Sequence, residues 1–201
     1  MSLTHTAVST TDRILYDPAS YLHASRLNPR MSTRCAGQRA ALSRIVMAVY
    51  GLSDGPAPPR TPADRTLADC WWELPIVCML AGAHCLRGEL IGRGQLSALP
   101  PALRHFALLQ FPNVEPLPQT PRVPATLPAG LRLQHAGLAA LGGWLRSTPV
   151  AWQQRIPLMF STRMPADVLE SRGTVRDMPP FLIQQVIQYA KSHRDISPDI
   201  A

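Results

Sequence analysis

The longest apolar stretch of the chain, LPIVCMLAGAHCL at 74–86, restricts the fold more than any other feature. Its residues are apolar nearly all round, and a helix with that pattern has to be buried on every side. With thirteen residues, Pro75 and His84 among them, it is shorter than the about 20 residues that cross a bilayer. The stretch therefore predicts a central buried helix, running from Ile76 to about Leu90.

Helical spacing and start signals predict further helices around this centre. Residues 30–51 place Leu42, Ile45, Val46 and Val49 on one stripe, which we expect to face inward. Residues 155–161, RIPLMFS, fit either a short strand or an extended packing segment. The remaining helices are predicted after Thr61-Pro62 and running on to Leu74, after Pro100-Pro101, over 129–147, over 165–172 and after Pro179-Pro180.

Prolines mark the joints between these helices. The chain has 21 of them, and six fall within 112–129, a segment without helical period that we expect to be an extended connector. The part after the connector has about 70 residues, which is marginal for independent folding. The fold class predicted is therefore mostly α: a single compact helical domain over 15–192 with Pro-rich connectors and at most a short minor β element. A disordered leader is expected at 1–14 and a flexible tail at 193–201.

The formal net charge of +7 comes almost entirely from arginine, since Lys191 is the only lysine. Proteins that bind nucleic acid usually concentrate positive charge on one face. Here the arginines are dispersed, which favours either ordinary solvated side chains or a basic surface that meets an acidic protein partner. The one loose group consists of Arg26, Arg30, Arg34, Arg39 and Arg44.

The sequence contains no arrangement typical of an enzyme or a metal site. Its cysteines, at 35, 70, 78 and 85, form no CxxC pair, and free thiols in a core are the expected state. No close acidic pair and no glycine-rich phosphate loop is present. Accordingly we predict no catalytic, cofactor-binding or metal-binding residues.

Two consecutive tryptophans, Trp71 and Trp72, allow two interpretations. On a helix they lie about 100° apart, so one can be buried while the other faces a rim or a partner. Alternatively, both pack beneath the Pro-rich connector.

Residues 17–29, DPASYLHASRLNP, are too apolar and aromatic for a tail and resemble the N-terminal signature of the SctK/YscK family of type III secretion proteins. The match falls on Pro18, Ala19, Tyr21, Leu22, His23, Ser25, Leu27 and Pro29. Arg26 stands where the family often has a tryptophan. The stretch LPIVCMLAGAHCLRGEL at 74–90 is similar to the family's central helix, and WQQRIPLMF at 152–160 resembles its C-terminal Arg-x-Pro-Leu segment.

The resemblance implies a non-enzymatic adaptor of the cytoplasmic sorting platform. Such a protein links the cytosolic, forkhead-associated-like domain of the inner-membrane ring protein to the pod protein SctQ. It implies a cytoplasmic location at the cytosolic face of the apparatus, and no signal peptide is predicted at the start of the chain. The alternatives are a helical regulator or chaperone-like protein of the same apparatus and, third, a nucleic-acid-binding protein. The interaction residues expected are Tyr21, His23, Arg30, Arg34, Arg39 and Trp72.

Overall fold

Helices make up the regular structure of the chain. The computed structural model describes residues 9–27, 35–111, 123–124, 126–165, 168, 177–193 and 195–197, and no strand occurs among them. The mostly α prediction is confirmed, and the strand interpretation of 155–161 is wrong, because Ile156–Met159 forms a 3₁₀ turn. The α-helices of the described residues are α1 (Thr10–Tyr16), α2 (Ala36–Val49), α3 (Pro62–Asp69), α4 (Leu74–Cys85), α5 (Arg87–Gly92), α6 (Pro101–Leu108), α7 (Ala129–Ala140), α8 (Gly142–Arg146), α9 (Val150–Gln153) and α10 (Pro180–Ser192).

The chain divides into two units. Unit 1 comprises Met1–Trp71 and Thr148–Phe160, and unit 2 comprises Trp72–Ser147 and Ser161–Ala201. Each unit thus takes residues from both sides of the Pro-rich segment at 112–129, so the division does not follow that segment. Residues 112–122 and 125 of the predicted connector lie outside the described residues. The single domain over 15–192 stays a prediction.

Helix α1 corrects the predicted leader. The Ser9 side chain accepts a hydrogen bond from the Asp12 amide at 3.1 Å and so caps the helix. Ile14 and Leu15 at the other end are completely buried. The prediction of disorder over 1–14 is therefore wrong from Ser9 onward, because a Ser/Thr-rich sequence also supplies caps. Residues 1–8 lie outside the described residues.

Helix α2 buries only half of its predicted stripe. Leu42 and Val46 are buried, whereas Ile45 is 51% exposed and Val49 is 73% exposed. The expectation that all four face inward is thus wrong for Ile45 and Val49. Within the described residues the helix begins at Ala36 rather than at residue 30; residues 28–34 are not among them.

The predicted helix starts agree with the structure more closely than the predicted helix lengths do. Thr61 and Asp64 form a reciprocal capping box at α3, with Pro62 in the first turn. The helix predicted to continue to Leu74 instead ends at Asp69 and is followed by a 3₁₀ turn at Trp71–Glu73. The single helices predicted over 76–90 and 129–147 are each two, with breaks at Leu86 and Leu141.

Unit 2 is built on the contact between α4 and α7. A Cβ added at Gly137 would overlap the carbonyl oxygen of Cys78, and one added at Gly82 would overlap that of Leu133. The two backbones therefore touch at points where only glycine fits. This close approach lets the buried helix α4, predicted as the centre, pack against α7 as well as α6 and α10.

The C-terminal region of unit 2 agrees with the predicted helix and shortens the predicted tail. All five residues expected to face inward from α10 are buried: Leu182, Ile183, Val186, Ile187 and Ala190. Beyond the helix, Ile196 is buried too, so the flexible tail predicted for 193–201 is wrong at that position. Most of the helix predicted for 165–172 falls outside the described residues.

Unit 1 is organised by a buried arginine. The guanidinium of Arg155 has no exposed surface, and it donates hydrogen bonds to three backbone carbonyls. Its Nη2 reaches the oxygens of Leu15 at 2.8 Å and Ser53 at 2.7 Å, and its Nη1 reaches that of Ala151 at 2.6 Å. One side chain thereby joins α1, the loop after α2, and α9.

We predict that Arg155→Lys destabilises unit 1 strongly. An ammonium cannot reach all three carbonyls in this fork geometry, and each buried acceptor left unsatisfied costs about 1–3 kcal/mol. Urea unfolding should show a loss of about 2 kcal/mol or more. The matched control Arg60→Lys, at an exposed arginine, should change stability by less than about 0.5 kcal/mol. Equal midpoints for the two variants would contradict this assignment.

Gly137→Ala should loosen unit 2. The added methyl has to displace the α4 backbone at Cys78, and overpacking of this kind costs about 1–3 kcal/mol. Gly37→Ala provides the control, since a Cβ at that helical position meets nothing within 4 Å. That change should be neutral or stabilise by up to about 1 kcal/mol. Thermal unfolding of both variants measures the difference.

Candidate functional site

Residues 16–27, which we call the strap, are held in unit 1 by Tyr21. The Tyr21 hydroxyl donates to the carbonyl of Ile14 at 2.7 Å. Its ring meets that of Trp71 edge-on at 5.5 Å, and Trp71 in turn meets Trp152 at 6.0 Å. Burial raises the pKa of the Tyr21 phenol, so the hydroxyl keeps its proton and remains a donor. Tyr21 therefore holds the strap, and its contact with a partner stays a prediction.

The strap runs along the 3₁₀ turn at Ile156–Met159. The amide of His23 donates to the carbonyl of Leu158 at 2.9 Å, and Nε of Arg26 donates to that of Phe160 at 3.0 Å. The His23 ring caps the following turn by accepting from the Ser25 amide at 3.1 Å. Residues 17–27 and 152–160, which belong to two segments noticed in the sequence, are thus neighbours in space.

The other predicted interaction residues are distributed over both units. Arg39, on α2, is exposed, and its Nε lies 3.4 Å from a carboxylate oxygen of Asp17. Trp72 belongs to unit 2 and is half-buried, whereas Trp71 is fully buried in unit 1. Trp71 is therefore a core residue, and the role of Trp72 stays a prediction. Arg30 and Arg34 lie outside the described residues.

Helix α2 carries the exposed apolar face of unit 1, which we call the α2 surface: Ala41, Ile45, Ala48 and Val49. These residues follow the spacing i, i+4, i+7, i+8 and so lie on one side of the helix. Ala48, Ile45 and Val49 are exposed, and Ala41 is half-buried. Sequence reasoning missed this surface because its spacing also predicts a core stripe.

Tyr50 follows Val49 at the C-terminal end of α2, and Arg26 lies over its ring. Tyr50 is 45% exposed. The Arg26 guanidinium carbon lies 5.9 Å from the centre of the Tyr50 ring, within cation–π range. Because Arg26 is also bonded to the Phe160 carbonyl, the cation is fixed in place.

The four cysteines are thiols rather than disulfides. Cys70 and Cys78 are buried, and burial raises the pKa of the Cys85 thiol to about 12, far from a reactive thiolate. Cys35 is exposed, and its sulfur accepts from the Gln38 amide at the start of α2. Within the ranges that the structure describes, no three His, Cys, Asp or Glu side chains gather as metal ligands would.

Unit 2 has a surface cleft of about 600 Å³ between the start of α6 and the end of α10. Tyr189 lies at its centre: its hydroxyl donates to the carbonyl of Ala102 at 3.0 Å, and its ring stacks on His193 at 4.0 Å. His105 Nδ1 lies 3.1 Å from the same hydroxyl. Asp195 also lines the cleft. The cleft thus combines two imidazoles, a phenol hydroxyl and a carboxylate, all groups that can form hydrogen bonds.

Among the described helices, none is both long and apolar enough to span a bilayer. The longest, α2, has 14 residues.

Comparison with known proteins shows the family. A family model described as bacterial type III secretion apparatus protein (OrgA_MxiK) matches residues 11–192. The oxygen-regulated invasion protein OrgA of Salmonella typhimurium, in strains LT2 and SL1344, is 34% identical over 197 residues, or 94% of this chain and 90% of OrgA. YgeO of Escherichia coli K12 is 26% identical over 129 residues, which are 62% of this chain and 83% of YgeO.

No solved structure matches the chain significantly. The resemblance noticed in the sequence is confirmed by the family match, which covers all three of its segments. The chain belongs to the OrgA/MxiK family of bacterial type III secretion apparatus proteins.

Proposed function

We propose that the chain is a non-enzymatic adaptor of the type III secretion sorting platform. It links the cytosolic, forkhead-associated-like domain of the inner-membrane ring protein to the pod protein SctQ. In this role it sits in the cytoplasm, next to the inner membrane, and reaches the membrane only through the ring protein. Membership of the secretion apparatus family supports a place in this machinery.

The observation that carries the proposal is the α2 surface. Ile45 and Val49, four residues apart on α2, expose their apolar side chains, whereas Leu42 and Val46 of the same helix are buried. Single exposed apolar residues are ordinary, but a contiguous exposed row marks an interaction site. The inner side of α2 is meanwhile fixed, since Ser43 donates to Asp17 at 2.9 Å and accepts from the Ala19 amide. A surface held this firmly suits binding, because little order is lost on association.

The experiment that tests the adaptor role is reconstitution of the link. The purified chain is mixed with the ring-protein cytosolic domain and SctQ, and the mixture is separated by size-exclusion chromatography with light scattering. A three-component complex is expected, and the ring domain and SctQ should not co-elute when the chain is left out. Failure of the chain to bind either protein would overturn the proposal, as would equal co-elution without it.

Basic residues of the 26–44 region should accelerate association with an acidic partner. Charge reversal at Arg30, Arg34 and Arg39 together is expected to lower the association rate and to flatten its dependence on salt. Stability should fall by no more than about 1 kcal/mol, because the Arg39–Asp17 pair is on the surface. Stopped-flow or interferometry kinetics at several salt concentrations provide the measurement.

A matched triple variant separates a local effect from net charge. Reversing Arg60, Arg65 and Arg104, all exposed, changes the net charge by the same amount at other places. This control should leave the association rate and its salt dependence much closer to those of the unmodified chain. If the association rates of both triple variants fall equally, the overall charge explains the effect, and Trp72 is the next residue to test.

A further inference from the structure

We propose that the α2 surface binds an amphipathic helix of a platform partner, one whose apolar face is bordered by Asp or Glu. This inference rests on the proposed adaptor function and names the partner element for one of its two contacts.

The shape of the α2 surface favours a helix as the occupant. Two alanines, Ala41 and Ala48, alternate with two branched residues, Ile45 and Val49, on one side of α2. Small residues between larger ones leave a groove into which the side chains of a second helix fit. A helix that binds in this way presents apolar anchors at i, i+3, i+4 and i+7, which can pack against the row on α2. A membrane-binding face would instead present bulky aromatic residues or leucines.

The charge around the α2 surface sets the partner's charge. Helix α2 contains Arg39 and Arg44 and has no Asp or Glu along its length. Arg44 precedes Ala48 by four residues and is exposed, so it borders the surface on its outer edge. At the C-terminal end, Arg26 lies over Tyr50. One cation therefore lies beside the apolar row and another at the C-terminal end of α2, and acidic residues on the partner complement them.

The position of Arg26 adds a reason for directionality. Its Nε is bonded to the Phe160 carbonyl and its Nη1 lies 3.4 Å from the Tyr50 hydroxyl, which leaves guanidinium donors for a carboxylate. An acidic residue near the end of the partner helix that meets Tyr50 would accept from this fixed fork.

Substitution at Val49 tests both the contact and the partner's charge. Val49→Asp and Val49→Lys remove the same apolar side chain and replace it with charges of opposite sign, and urea unfolding of both variants checks that α2 stays folded, because the last turn of a helix disfavours Asp. We expect Val49→Asp to weaken binding to one of the two proteins, SctQ or the ring-protein domain, at least tenfold more than Val49→Lys does. Interferometry at constant ionic strength measures both dissociation constants.

Val150 provides the matched controls. It is 68% exposed, against 73% for Val49, and it also belongs to unit 1. Val150→Asp and Val150→Lys should leave both dissociation constants within about twofold. A helical partner is checked by placing p-benzoylphenylalanine at position 45 and mapping the photo-crosslinks, which should fall at spacings of three or four residues beside acidic residues.

The outcomes separate this inference from the adaptor proposal. If the unmodified chain binds SctQ and the ring domain while all four valine variants bind equally well, the α2 surface is not the contact and only this inference fails. The same holds if Val49→Lys is weakened as much as Val49→Asp, or if binding to anionic vesicles rather than to either protein depends on Val49. If the unmodified chain binds neither protein, the adaptor proposal itself fails.

Discussion

The arrangement of unit 1 depends on how the buried guanidinium of Arg155 is satisfied. A cation without water is costly unless its donors are matched, and here the matching groups are backbone carbonyls from α1, α9 and the loop at Ser53. The carbonyl of Leu15 lies in the last turn of α1, where the helix dipole favours a positive charge. Three segments distant in sequence are thus tied to one side chain. The strap, whose Tyr21 hydroxyl bonds to Ile14, rests on the helix that this side chain anchors.

The same turn of α9 fixes the loop before α3 and the aromatic core. Trp152 donates its indole N–H to the carbonyl of Ala57 at 3.0 Å, and its ring meets Trp71 edge-on. Residues 152–160 therefore connect several segments of unit 1. Trp152 and Arg155 form hydrogen bonds with segments that precede α3, and the carbonyls of Leu158 and Phe160 accept hydrogen bonds from the strap. Unit 2 is instead built on close helix packing, since the backbones of α4 and α7 touch at two glycines.

The sequence predicted those features that a few neighbouring residues determine. Thr61 with Asp64, Pro101 and Pro180 start helices where they were expected, because caps and N-terminal prolines act locally. Features that depend on tertiary neighbours were missed. Ile45 and Val49 have the same helical spacing as the buried Leu42 and Val46, so periodicity alone cannot distinguish exposed apolar residues from core residues. The Arg-x-Pro-Leu resemblance marked Arg155 but not its burial, since only the fold brings three carbonyls to it.

Three residues of the resembling segments contribute to the internal packing of unit 1. Tyr21 and Arg155 are buried, and the backbone amide of His23 donates to Leu158. They fix the position of α2 through the strap, as the bonds from Ser43 to Asp17 and from Ala19 to Ser43 show. The exposed residues Ile45 and Val49 lie on the other side of α2 and outside the three resembling segments. Bonds within the strap and from the strap to α2 thus hold the helix in unit 1, and this leaves its exposed apolar residues free of that task.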